Sequence, residues 1–110
     1  TLTGCTTSPT GTISYSRTGK KVAMYLPQFI AISNAASATI TGVPSSLNSS
    51  FTTAYVSIPE VRDNSTQYLG ELSMPTSGNI GIFFFTTGWT NLFTSSGQKG
   101  LLKCFFTYLL

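Results

Sequence analysis

The chain has three acidic side chains, Glu60, Asp63 and Glu71, and no histidine. Histidine is the commonest general base, the commonest metal ligand and the usual activator of Ser and Cys nucleophiles, so hydrolase triads and zinc sites are not expected. A glycosidase would need two carboxylates flanking one bond, which here means Asp63 with Glu60 or Glu71. Two of these lie three residues apart at a turn. The sequence therefore reads as non-enzymatic, with no metal and no cofactor. Cys5 and Cys104 sit near opposite ends. They would close a very long loop if the terminal strands paired, but buried thiols also serve as small apolar residues, and free thiols are expected.

The basic residues are Arg17, Lys20, Lys21, Arg62, Lys99 and Lys103, for a net charge of +3. Only Arg17, Lys20 and Lys21 cluster. That group reads as the solvated tip of a hairpin rather than a phosphate-binding patch, so nucleic acid is not an expected partner. Charged residues make up 8% of the chain, about a third of the usual ~25% share. Polarity comes instead from eighteen Thr and fifteen Ser. With 41% hydrophobic and 13% aromatic residues the chain has the material for a core and is not expected to be disordered. The longest apolar runs, Val22 to Leu26 and Ile80 to Phe85, are strand-sized, well short of the ~18 residues a spanning helix needs; a soluble domain without membrane insertion is expected. The sequence starts at Thr1 with no Met or signal peptide, and a strand-like pattern is under way by Leu2. It reads as one piece of a longer chain.

These residues must be positioned by short strands. Apolar and polar residues alternate over residues 12–16 and 21–26, with Arg17-Thr18-Gly19-Lys20 between them, which predicts a hairpin. Pro27 lacks the N–H a ladder needs and ends its second strand. Further β-rich runs are Ser37 to Val43, Thr53 to Ile58, Gln67 to Met74, Asn79 to Thr86 and Leu101 to Leu109. Helical periodicity is confined to Ala31 to Ala38, which is too short and Ser-rich for a helix. Seven or eight strands without helices predict an all-β, antiparallel sandwich or jelly roll. Several strands are apolar on both faces, whereas a two-layer sandwich buries only one. A partner subunit is the expected second cover, with Phe83, Phe85, Phe105 and Leu110 as candidate interface residues.

The run from Thr10 to Pro27 (TGTISYSRTGKKVAMYLP), the segments Thr39 to Leu47 and Phe93 to Leu101, and the terminal Phe106-Thr107-Tyr108-Leu109-Leu110 together resemble the C-terminal domain of bacteriophage tailspikes and tail fibres. The resemblance spans nearly the whole chain through loose Gly, Thr, Pro and apolar motifs. It implies that residues 1–110 are a single C-terminal β-sandwich module, trimeric, at the virion's tail tip after a fibrous or β-helical shaft. It implies trimer assembly, binding of host surface glycan (lipopolysaccharide or capsule), or both; the alternative is a purely structural trimerisation or capping domain. Sugar recognition needs an aromatic face for the C–H side of the ring and planar polar groups for its hydroxyls. Trp89 with Asn91 is the first candidate pair, although a lone Trp also packs under loops as core. Arg62, Asp63, Asn64, Gln67 and Tyr68 form a second, at a hairpin tip that a solvated turn explains more readily. Tyr15, Tyr25 and Tyr55 alternate within strands and read as core.

Overall fold

A computed structural model of the chain describes residues 1–49, 54–74, 76, 79–84 and 93–110. Nine strands account for most of it: β1 (Ser14–Thr18), β2 (Lys21–Leu26), β3 (Phe29–Ile32), β4 (Thr39–Ile40), β5 (Ala54–Asp63), β6 (Thr66–Met74), β7 (Ile80–Phe84), β8 (Gln98–Leu101) and β9 (Cys104–Leu109). Among the described residues the one helical element is a single 3-10 turn at Ser45–Leu47. All pairings are antiparallel, in a three-stranded sheet ordered β1-β2-β9 and a six-stranded sheet ordered β3-β8-β5-β6-β7-β4.

The pairings nest: β5 with β6, β4 with β7, β3 with β8, and β2 with β9. The chain is thus one long hairpin folded back on itself, which is the winding of a jelly roll. The expected β1/β2 hairpin forms with Thr18 opposite Lys21 and Gly19 at positive φ (60°) in the turn. Pro27 does end β2, but the chain does not leave into a loop there. Leu26 pairs with Cys104 in the small sheet, and three residues later Phe29 pairs with Leu101 in the large one. Two neighbouring strands therefore cross together from one sheet to the other at a corner. For the same reason the single strand expected over Leu101 to Leu109 is two, split at Leu102-Lys103, and β3 is a strand the sequence pattern did not mark.

The strand expected over Ser37 to Val43 shrinks to Thr39–Ile40. It is bracketed by the N-terminal segment: Leu2 bridges Ile40, Thr3 N–H donates to the Thr39 carbonyl (2.9 Å) and Thr41 N–H to the Thr1 carbonyl (2.8 Å). Ala31 to Ala38 is not helical, because its backbone groups are spent elsewhere: Ser33 N–H donates to the Gly97 carbonyl (2.9 Å) and Asn34 N–H to the Gly4 carbonyl (3.1 Å), while the Ala36 carbonyl accepts from Phe93 N–H (2.8 Å).

The core lies between the sheets. Val22, Met24 and Leu26 of β2 and Phe106, Tyr108 and Leu110 at the chain end face Phe29, Ile58, Val61, Leu72, Ile80, Ile82 and Leu101, in one continuous buried cluster. Each such side chain contributes about 1.5–3 kcal/mol by leaving water. Cys5 bridges Ser33 while Cys104 lies opposite Leu26, so the two thiols sit on different parts of the fold and are not bonded to each other.

The phenol of Tyr108 is the buried polar group that ties the layers, donating to the Leu47 carbonyl at 2.7 Å. Burial pushes it from its ordinary 10 up to about 12. The folded chain holds this proton more tightly than the unfolded chain, so the associated stability is intact below pH 10 and lost as the pH rises from 10 to 12. Burial also pushes the Cys104 thiol up to about 11, which acts in the same sense from pH 9 upward. Tyr108→Phe should lower stability at neutral pH by about 1–3 kcal/mol, through the orphaned carbonyl, and flatten the part of the alkaline limb beyond the thiol's. Urea midpoints across the alkaline range check this; an unchanged limb in the variant would show that the phenol titrates alike in both states.

Candidate functional site

The β5–β6 hairpin tip holds the second group of residues expected to meet a sugar. Its loop is Asn64-Ser65 between paired Asp63 and Thr66, and both loop residues have positive φ (47° and 65°), the type I′ geometry that matches strand twist. A register shift between Ile58 and Val61 puts one extra residue on β5, and Pro59 falls inside it, where a missing N–H is tolerated.

Beside this bulge Glu60 is buried, and its carboxylate accepts from Arg62 Nε at 3.0 Å and from Gln67 Nε2. Arg62 also reaches Gln98 Oε1 through Nη1 at 3.2 Å. Asp63 is 6% exposed and accepts two bonds from Thr94, from its N–H at 2.7 Å and its hydroxyl at 2.8 Å. The tip is thus a structural clasp: it fastens the segment before β8 to the hairpin and turns its carboxylates inward, away from any sugar. Tyr68 is half-buried against the core. Trp89, Asn91 and Phe85, with the Phe83 side chain, lie outside the described residues.

A second cluster was invisible to the sequence pattern. Lys99 is fully buried on β8, and its ammonium donates to three main-chain carbonyls: Gly4 at 2.9 Å, Ser37 at 2.7 Å, and Ala35. The Phe93 ring lies 5.0 Å below the nitrogen. Three donors meet three acceptors, so the ammonium is fully matched. Burial pulls its pKa below the ordinary lysine value, with Cys5 and Asp63 opposing. Burial raises the Cys5 thiol, with Lys99 opposing, so Cys5 is held as the protonated thiol, the unreactive form. Gly4 has φ of 77°, and a Cβ there would run into the Ser37 carbonyl and the Lys99 ammonium, so the cage requires glycine at this position.

The outward face of the small sheet is the third feature. Its register aligns three rows across the strands: Ser14, Tyr25 and Phe105; Ser16, Ala23 and Thr107; Thr18, Lys21 and Leu109. Phe105 and Leu109 are 69% and 67% exposed. Of the residues expected at an interface, Phe105 thus stands on the surface, whereas Leu110 is buried in this chain's own core, its N–H donating to the Lys20 carbonyl at 2.7 Å. Strict alternation along β9 makes Leu109 the outward residue. Tyr15 and Tyr25, read as core, are exposed as well, because β1 is an edge strand and Tyr25 lies on the outward side of β2.

Among the described residues no group of three or more His, Cys, Asp or Glu is placed to hold a metal ion. No protein-family model matches the sequence, and no curated protein is found to be similar to it. Lys99→Met keeps the side-chain length but removes all three donors. It should destabilise the chain by about 1–3 kcal/mol, because the Ser37 carbonyl loses its partner while Gly4 and Ala35 keep Asn34 N–H and the Ser33 hydroxyl. Denaturant unfolding measures this, and a cost below 1 kcal/mol would mean that the cage is hydrated or relaxes.

Proposed function

We propose that this chain is a non-enzymatic β-sandwich module from the distal tip of a phage tailspike or tail fibre, assembling as a homotrimer on its shaft and binding host surface polysaccharide. The observation that carries the reading is the outward face of the small sheet. Tyr25 and Phe105 pair at one end of it and Leu109 stands at the other, with Lys21 as the single charge among the nine outward residues of the three strands. Apolar surface of this kind on a sheet is stabilised by a cover, and the occupant of this one is a second copy of the chain. Three chains of one shaft end at the same place, so each copy meets the next at high local concentration. From strand spacing and rise the face measures ~14 Å by ~20 Å, roughly 300 Å², against roughly 800 Å² per partner in a stable interface. The trimer contact therefore extends past the sheet, with Phe105 and Leu109 as its apolar centre.

One observation favours the purely structural alternative. Asp63 is spent on Thr94, and Arg62 on Glu60 and Gln98, so the expected sugar-binding tip is occupied by its own chain.

Light scattering of the 110-residue chain at micromolar concentration should give three times its 11.7 kDa mass. Phe105→Ser and Leu109→Ser, both at outward positions, should give monomers with an unchanged circular dichroism spectrum. A wild-type monomer, or variants that stay trimeric, would sink the assembly. Retention on immobilised lipopolysaccharide or capsular polysaccharide, tested in parallel, separates a binding module from a structural one.

A further inference from the structure

A groove of about 310 Å³ opens on the other side of β1, lined by Thr1, Gly11, Ile13, Tyr15, Thr41, Gly42, Pro44 and Leu47. We infer that it is a carbohydrate subsite that takes a single uncharged pyranose ring against Tyr15. This rests on the reading of the chain as a glycan-binding module and gives that reading a place in the fold other than the occupied hairpin tip.

The chemistry of the walls selects the ligand. No lining side chain is charged, so an amine finds no carboxylate and an acidic or phosphorylated ligand no side-chain cation; the terminal ammonium that the 110-residue chain carries on Thr1 at the rim donates to the Thr41 carbonyl at 3.1 Å. The apolar share comes from Ile13, Pro44, Leu47 and the Tyr15 ring, and the polar share from hydroxyls and main chain. A pyranose has the same division, with C–H faces for the ring and hydroxyls for the rim. The Thr41 hydroxyl makes only a long contact to the Thr1 carbonyl, 3.4 Å, and keeps its acceptor lone pairs for a sugar hydroxyl. The volume is at the small end of ligand pockets, which suits one ring.

The site is also built, in the sense that its parts are fixed from behind. Leu47, 1% exposed, is the floor, and its carbonyl is held by the buried Tyr108 phenol at 2.7 Å. Thr1 and Thr41 are fastened by two main-chain contacts between them. Tyr15 lies opposite Met24, on the side of β1 that faces the other layer, but as an edge-strand residue it stays 50% exposed. It lines this groove and also borders the outward face beside Tyr25 and Phe105. At Gly42, φ is 82° and nothing lies within 4 Å of where a Cβ would stand, so the wall there is open backbone.

The test is a methyl and aromatic NMR titration of the 110-residue chain with the methyl glycosides of glucose, galactose, mannose and N-acetylglucosamine, and with glucuronate and glucose 6-phosphate as charged counterparts. At least one neutral glycoside should give saturable shifts at Ile13, Leu47 and Tyr15. Tyr15→Ala and Thr41→Val should each weaken it about tenfold, while Tyr15→Phe retains it, which separates loss of the ring from loss of the fold. Phe105→Ser should bind as wild type whether or not it is trimeric, because Phe105 does not line the groove; failure of the trimer and failure of the groove thus give different results. Absence of shifts with every neutral glycoside, shifts with the charged sugars alone, or shifts indifferent to Tyr15→Ala would overturn the assignment.

Discussion

One buried ammonium fastens together segments that are otherwise held by isolated bridges and a two-residue ladder. Lys99 stands on β8, and the carbonyls it holds come from the N-terminal segment and from the connection between β3 and β4. Neither segment has a long ladder of its own: β4 is two residues, and the N-terminal segment touches the fold through isolated bridges at Leu2 and Cys5. An ammonium in a dry interior is costly unless each proton meets an acceptor, and here three main-chain carbonyls supply them: Ser37, together with Gly4 and Ala35, which also accept from Asn34 N–H and the Ser33 hydroxyl. Because the N-terminal segment then lies along Thr39 and Thr41, the Thr1 and Thr41 walls of the groove beside Tyr15 depend on a lysine at the other end of the sequence.

Local pattern made the first hairpin legible, since alternation and a turn glycine are both short-range signals, and the same holds for the paired β5 and β6. The corners were not legible. Leu101 to Leu109 reads as one β-rich run interrupted by Lys103 and Thr107, and a single lysine does not say that the chain changes sheets at Leu102-Lys103; that follows from its neighbour turning at Pro27, about 75 residues earlier in sequence. Lys99 was equally hidden, because a lysine is expected at the surface and its partners are backbone carbonyls, which have no sequence signature. Arg62 and Asp63 were correctly grouped at a turn, yet their partners Thr94 and Gln98 come from a distant segment, so spacing alone showed the cluster and not its occupancy. Tyr15 and Tyr25 were misplaced because alternation tells that two faces differ, not which one is covered.

The remaining question is what holds β9 in register. Hydrophobic patterning specifies register where one face of a strand is apolar and the other polar, since a slip of one residue exchanges the faces. In β9 that signal is weak: Phe106 and Tyr108 point inward, Phe105 and Leu109 outward, and an exchange would bury comparable apolar side chains. A polar anchor discriminates where the apolar pattern does not. The Tyr108 hydroxyl meets the Leu47 carbonyl only in the observed register, and Leu110 N–H reaches the Lys20 carbonyl at the strand end. A slip of one residue would leave the Leu47 carbonyl unpaired inside the core and set in place of the phenol either Leu109, which cannot donate, or Thr107, whose hydroxyl sits much closer to its own backbone than a phenol does. The buried tyrosine thus decides which apolar residues β9 shows to the outside. The surface read as a subunit contact and the floor of the groove are set by the same hydrogen bond.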